Sequence, residues 1–299
     1  MKLGFIGLGK MGMQLTTRLL AGGHDVIAMD VVPASLNQAI ALGATAAYSR
    51  GQVLELFGGE PAVIWIMIPA NLVQTEIEAW TELLPAGSII IDGGNSDYRE
   101  TIKRGAAARE HGIELVDAGT SGGILGLADG FSMMIGGSDA AVAAAAPLFA
   151  SLAQPGGWGH FGTTGSGHYI KMVHNGVEYG LMEAYAEGFH LLKDGPVAGL
   201  DLGRIAGVWQ HGSIINSGLN GLAAEILVAN PELTGLDGYV AANGEADWTL
   251  QTAATSLIEL PVIQAAVDVR TASQTGTVHF GTKLLAALRG AFGGHAVNK

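Results

Sequence analysis

The chain contains no cysteine. Disulfides and thiolate metal sites are therefore excluded, and a reducing compartment is permitted. No apolar run reaches the roughly 18 residues that a membrane-spanning helix needs. Positive charge is scarce: 15 Lys and Arg stand against 27 Asp and Glu, for a formal net charge of −12. No basic patch or tail relieves that balance, so neither nucleic acid nor an anionic membrane is an expected partner. Charged residues make up only 14% of the chain and hydrophobic ones 48%. That composition predicts a large core rather than disorder.

Glycine, by contrast, is abundant, at 46 residues among 299. The length allows two domains of ordinary size. The first residues, MKLGFIGLGKMG, are apolar after one lysine. Their glycines have a better use than a signal peptide, and a cytoplasmic protein is expected. Lys2–Ile6 reads as a strand, Gly7-Leu8-Gly9-Lys10-Met11-Gly12 as a glycine turn, and Met13–Leu20 as a helix. That context gives the G-x-G-x-x-G pattern meaning: Gly7 for the tight turn, Gly9 for close approach of a pyrophosphate, Gly12 for helix–strand packing. The helix N-terminus offers free N–H groups to phosphates. A second strand, Asp25–Met29, ends at Asp30, followed by Val31, Val32 and Pro33. A carboxylate there accepts from ribose hydroxyls and repels a 2′-phosphate, so NAD is expected over NADP.

Further apolar runs alternate with helical stretches. Strands are expected at 62–68, 88–91, 114–117 and 131–135, and helices at 72–84 and 97–110. The alternation predicts an α/β protein, opening with a doubly wound, mostly parallel Rossmann-type sheet. Ligands of such sheets sit at the carboxyl ends of strands. Met67, Ile68, Pro69 and Asn95 fall there as cofactor candidates, with Ser121 further on. A last helix near 140–153 and a glycine-rich exit at 156–167 close the domain, placed at residues 1–164. Residues 165–299 read as an all-helical domain, with helices at 169–192, 202–207, 214–229, 250–257, 262–271 and 283–291. A helical domain this apolar is expected to pack against a second copy.

One stretch of that domain carries chemistry. In GSGHYIKMVHNGVEYGLMEAYAEGFHLL, Lys171, His174, Asn175 and Glu178 lie at relative positions 0, 3, 4 and 7, on one helical face. Ile170, Met172, Val173, Val177, Leu181 and Met182 read as packing residues. A solvated Lys–Glu face is the plain alternative. The sharper reading is a pair of proton-transfer groups one or two turns apart.

Four segments together resemble one family. GFIGLGKMG (4–12), DGGNS (92–96), GTSGG (119–123) and KMVHNGVEYGLM (171–182) are similar, in order and separation, to the 6-phosphogluconate dehydrogenases. Wider β-hydroxyacid dehydrogenases share the glycine turn, the Ser-Gly-Gly and the lysine; the His-Asn-Gly-x-Glu-Tyr continuation is the specific part. The resemblance implies oxidative decarboxylation of a phosphorylated sugar acid, 6-phosphogluconate, to ribulose 5-phosphate and CO2 with NAD, and with no metal, since a β-keto acid supplies its own electron sink. It implies Lys171 as the base that later acts as an acid, and Glu178 as the final proton donor. Asn95, Ser121, Gly122, Gly123, His174 and Asn175 would hold the carboxylate and hydroxyls. Tyr179, Arg270, Arg289 and His295 would hold the phosphate. The family's tail reaches a neighbouring subunit, so the resemblance implies a homodimer or homotetramer. The chain departs from the pattern before Trp248, where Asn243-Gly244-Glu245-Ala246-Asp247 brings two acids to a loop that is cationic in longer enzymes. A related dehydrogenase of another sugar acid, such as gluconate, and a non-catalytic dinucleotide sensor remain the alternatives.

Overall fold

A computed structural model of the chain describes residues 1–241 and 244–294. It divides into two compact units, Met1–Lys171 and Met172–Lys299.

The first unit holds a sheet of β1 (Lys2–Ile6), β2 (Asp25–Met29), β3 (Thr45–Ala46), β4 (Val63–Ile66), β5 (Ile89–Asp92), β6 (Glu114–Ser121), β7 (Phe131–Gly136) and β8 (Ala153–His160). Spatial order is β3-β2-β1-β4-β5-β6-β7-β8. Every pairing is parallel except β6 with β7. The strand order reverses between β1 and β4, the position at which open α/β sheets offer a ligand crevice. Between the strands run α1 (Lys10–Ala21), α2 (Pro33–Ala41), α3 (Arg50–Phe57), α4 (Ala70–Leu83), α5 (Tyr98–Glu110), α6 (Gly126–Asp129) and α7 (Asp139–Leu152). Alternate residues of a strand point to opposite faces. Leu3 and Phe5 of β1 accordingly join one buried cluster, with Leu15, Leu19 and Phe149, while Ile6 joins another, with Val73, Ile77 and Trp80. Two apolar layers, one on each face, are what a doubly wound sheet requires.

The expected mostly parallel sheet is observed, with two strands (β3, β8) and three helices (α2, α3, α6) more than the sequence reading supplied. β3 is two residues long, and α2 and α3 flank it on the chain. The glycine-rich exit is partly a strand: β8, sequence AQPGGWGH, pairs with β7 through a register irregularity at Phe131/Met133. Proline and glycine depress strand propensity, but an edge strand tolerates both, because one side of its backbone has no partner. β4 is shorter than expected, and Met67 and Ile68 lie beyond it.

The second unit is helical among its described residues. α8 (Ser166–Asp194) begins in the first unit and supplies the first elements of the second. After it come α9 (Leu202–Trp209), α10 (Gly218–Ala229), α11 (Glu245–Thr255), α12 (Pro261–Gln274) and α13 (Phe280–Gly293). Met182, Ala186 and Phe189 of α8 pack with Leu202, Leu227, Leu284 and Leu288 in one core cluster. α10 starts later than the expected residue 214, because the Ser217 side chain caps it by accepting from Asn220 N–H. α11 starts earlier than expected and takes in the two acids placed on a loop. Glu245 and Asp247 both stand in its first turn, where a helix N-terminus favours negative charge. Glu245 is buried and Asp247 exposed, while Asn243 lies outside the described residues. Val173, Val177 and Leu181, expected to pack, are exposed instead, whereas Met172 and Met182 are buried. No helix among the described residues is long and apolar enough to cross a membrane.

Candidate active site

The carboxyl ends of β1, β2, β4 and β5 are neighbours in the sheet, and the cofactor candidates collect there. Gly7 has φ +95, and a Cβ on it would meet Met67 O at 2.4 Å. A Cβ on Gly12 would meet Gly7 O at 2.0 Å, so the turn and α1 close tightly only with glycine at both positions. Gly9 is different: a Cβ there would meet nothing within 4 Å. Open space above Gly9, beside the start of α1, suits the pyrophosphate approach that the motif implies. Lys10 and Met11 open α1, and Pro69 is the N-cap of α4.

Asp30 ends β2 with its carboxylate held by the protein. Oδ2 accepts from Leu8 N–H at 2.5 Å, and Oδ1 from Val32 N–H at 2.6 Å. The acid is thereby tied to the glycine turn itself. Val31 behind it is 98% exposed. A carboxylate so fixed, with an apolar neighbour, fits a dinucleotide ribose and offers no cation to a 2′-phosphate.

Asn95 follows β5, and Ser121 is the last residue of β6. The Asn95 loop is built on Asp92, a fully buried carboxylate that accepts from Gly94 N–H at 3.1 Å and Ser96 Oγ at 2.8 Å. Arg104 of α5 lies 3.8 Å from Asp92 Oδ2 and neutralises it. Asn95 itself is exposed. Gly122 and Gly123 both have positive φ, 130° and 52°, which turns the chain sharply after Ser121.

Lys171 is carried on the second turn of α8 and is buried. Three glycines allow that. A Cβ on Gly119 would fall 2.5 Å from Lys171 Cβ, one on Gly167 would fall 2.4 Å from Met134 O, and one on Gly136 would fall 2.5 Å from Asp117 Oδ1. The start of α8 is anchored by Asp117, a fully buried carboxylate on β6. It accepts from Gly165 N–H at 2.6 Å and His168 N–H at 2.8 Å, two of the donors that a helix N-terminus leaves open. His168 Nδ1 meets Thr101 Oγ1 at 2.8 Å. The sequence reading missed Asp117 and His168. A carboxylate inside an apolar strand was the available signal, since a buried charge needs partners.

In the second unit α8 continues the polar stripe. His174 Nδ1 and Glu178 Oε2 are 3.8 Å apart, at an i,i+4 spacing, and Asn175 is buried. One turn on, the Arg270 guanidinium of α12 lies 3.3 Å from the centroid of the Tyr179 ring. A desolvated cation over an aromatic face contributes about 2 kcal/mol. Arg270 Nη2 also donates to Met182 Sδ at 3.6 Å, while Nε and Nη1 are buried with no hydrogen-bond partner. Burial, aided by the like charge of Arg289, pushes Arg270 down to about 10; Tyr179, Glu178 and Glu183 oppose the shift. Arg270 is therefore still charged at neutral pH. Arg289 is buried on α13. His295 lies outside the described residues. Among the described residues, no group of three or more His, Cys, Asp or Glu side chains is arranged to hold a metal ion.

Two family models divide the chain between them. The NAD binding domain of 6-phosphogluconate dehydrogenase matches residues 2–167, and the 6-phosphogluconate dehydrogenase C-terminal domain matches residues 167–286. This chain belongs to the 6-phosphogluconate dehydrogenase family. Within that family, the Haloferax volcanii 6-phosphogluconate dehydrogenase named as NAD(+)-dependent and decarboxylating is 38% identical over 300 residues, covering 99% of this chain and 98% of the relative. The Bacillus subtilis protein YqeC is 38% identical over 299 residues, covering 100% of both. Among solved structures, 6-phosphogluconate dehydrogenase of Plasmodium falciparum superimposes with a TM-score of 0.83 at 26% identity, covering 96% of this chain and 70% of that one. Mycobacterium tuberculosis 3-hydroxyisobutyrate dehydrogenase shares the fold, with a TM-score of 0.74 at 22% identity over 95% of this chain and 97% of that one. The glycine turn and the sheet thus belong to a dinucleotide-binding domain.

Proposed function

We propose that this chain is an NAD-dependent, decarboxylating 6-phosphogluconate dehydrogenase. The observation that carries the reading is the α8 stripe, on which Lys171 and Glu178 stand two turns apart on one face of a single helix. A family member that only sensed a dinucleotide would need neither proton-transfer group.

Bound through Gly9, the start of α1 and Asp30, the nicotinamide cofactor would supply the hydride acceptor. Met67, Ile68, Pro69 and Asn95 stand at neighbouring strand ends to hold its remainder. Lys171 takes the proton of the C3 hydroxyl as that carbon is oxidised. A 3-keto acid loses CO2 readily because the ketone receives the electron pair, and the lysine, now protonated, stabilises the enolate that forms. Glu178 then delivers a proton to C1. Ser121, Gly122, Gly123, His174 and Asn175 would position the carboxylate and hydroxyls.

Support for a phosphate at C6 comes from Arg270. A buried guanidinium with two unpartnered nitrogens is costly unless an anion meets it, and its planar fork suits phosphate oxygens. Arg289 and Tyr179 complete that end, with His295 assigned by family resemblance. The acids before Trp248 have a local role at the N-terminus of α11, which removes the main argument for an uncharged substrate end. The Haloferax relative's printed name and the Asp30–Val31 pair favour NAD over NADP. We read the working form as a homodimer or homotetramer, in keeping with the exposed apolar residues Val177 and Leu181 on α8.

The decisive test follows reduced nicotinamide and CO2 together, with NAD and 6-phosphogluconate, and repeats the assay with gluconate. Both products should appear in equal amounts with 6-phosphogluconate. Preference for gluconate would overturn the substrate, and reduction of NAD without CO2 would overturn the decarboxylation.

A further inference from the structure

Glu183 has no place in the chemistry above, and its surroundings are unusual. It follows Met182, which accepts from Arg270, and sits one helical turn after Tyr179, whose ring lies under the same guanidinium. Both Glu183 and Arg270 are buried, at 5% and 1% exposure. Glu183 Oε2 has no hydrogen-bond partner, and neither do Arg270 Nε and Nη1. The two nevertheless make no ion pair with each other among the described contacts. Opposite charges in a poorly solvated interior act on one another beyond hydrogen-bond range. A buried carboxyl beside a buried guanidinium thus sets how much positive charge is left for a third, incoming group.

We propose that Glu183 is a specificity-determining residue of this site: neutral, it leaves the charge of Arg270 to the substrate's far anion, and ionised, it competes with that anion. The inference rests on the reading that Arg270 holds the anionic end of the sugar acid. The groups acting on the pair are Glu178, Tyr179 and Glu187 of α8 and Arg289 of α13. Burial first, and Glu187 second, push Glu183 up to about 7, with Arg270 pulling the other way. The residue therefore changes charge within the working range of pH. Below that value the site is open to a dianion. Above it the carboxylate repels a phosphate and partly neutralises its receptor.

The test compares wild type with Glu183→Gln, an isosteric side chain that cannot ionise. KM for 6-phosphogluconate and for gluconate is measured from pH 6 to pH 8.5 at saturating NAD. If only the protonated form binds well, the apparent affinity falls with the competent fraction. With a midpoint near 7, the ratio of wild-type to variant KM for 6-phosphogluconate should be close to one at pH 6 and about tenfold at pH 8. Titration of the phosphate ester is common to both proteins and cancels in that ratio. Gluconate, which lacks the second anion, should show a ratio near one throughout. A ratio that does not change with pH, or one that changes equally for gluconate, would overturn the proposal. Should the glutamine variant not fold, wild type suffices for a second measurement. Binding heats of 6-phosphogluconate at pH 8, in buffers of different ionisation heat, should reveal proton uptake that Glu183→Asp retains. Its absence from wild type would equally overturn the idea. Arg270→Ala separates the two layers: an unchanged preference for 6-phosphogluconate over gluconate would sink the anion reading itself, whatever Glu183 does.

Discussion

At the scale of single residues, the site consists of groups whose charges are held in place by other groups. Asp30 is fixed by Leu8 N–H and Val32 N–H, so the ribose contact proposed for its carboxylate would meet a set geometry. NAD should therefore be used far better than NADP, as kcat/KM with each will show, and Asp30→Ala with Val31→Arg should move preference toward NADP. Equal use of both by wild type would remove Asp30 from that role. Lys171→Met and Glu178→Gln should each lower kcat by about 10²–10⁴-fold, the usual worth of a positioned acid or base. The lysine variant should fail at hydride transfer, measurable in a single turnover, and the glutamate variant at the final protonation. Glu183 adds a stability signature. Its folded pKa, about 7, lies above the ordinary carboxylate value of 4.5, so the folded state holds the proton more tightly. The corresponding stabilisation is full below pH 4.5 and disappears as pH rises through 7. Relative to Glu183→Gln, wild type should lose on the order of 2 kcal/mol between pH 5 and pH 8, read from urea unfolding at those two values.

At the scale of elements, α8 is a helix with a locked beginning. Asp117 receives two N–H groups at its start, and hydrogen bonds to a charged acceptor contribute about 1.5–3 kcal/mol each. Asp117→Asn keeps the volume but loses the charge and turns an amide donor toward one N–H. Unfolding free energy should drop by about 2 kcal/mol. Cofactor affinity, set at the far strands, should stay within twofold by fluorescence titration, while turnover falls because Lys171 is held less firmly. Loss of NAD binding as well would show that the whole sheet, not α8, depends on Asp117. The elements also show where the sequence was readable. β1, the glycine turn and α1 were legible because strand, turn and helix signals agree there. α8 was legible because its polar stripe keeps one period over two turns. β8 was not, since Pro155 and its neighbouring glycines carry the signal of a loop. The first turn of α11 was not, since Gly244 and two acids look like loop residues until their place at a helix N-terminus is seen. Asp117 needed the fold, because its partners lie 48 and 51 residues away along the chain.

At the scale of the whole molecule, the expected oligomer makes a prediction about which chain completes which site. A protein stopped before Arg289 should bind NAD and bind 6-phosphogluconate poorly. Mixed with Lys171→Met chains, it should regain partial activity if the tail serves a neighbour, because some sites then combine an intact lysine with an intact tail. No recovery in verified mixed oligomers would assign Arg289 to its own chain, where Arg270 already feels its charge. The sheet, meanwhile, limits how copies can meet. One rim is β3, two residues long, and the other is β8, interrupted by Pro155. Very short strands and prolines are the devices by which sheet rims refuse a further strand. Two copies of this chain are therefore not built to fuse their sheets into one continuous ribbon, and the same blunt rims guard a concentrated solution of the protein against strand-by-strand polymerisation.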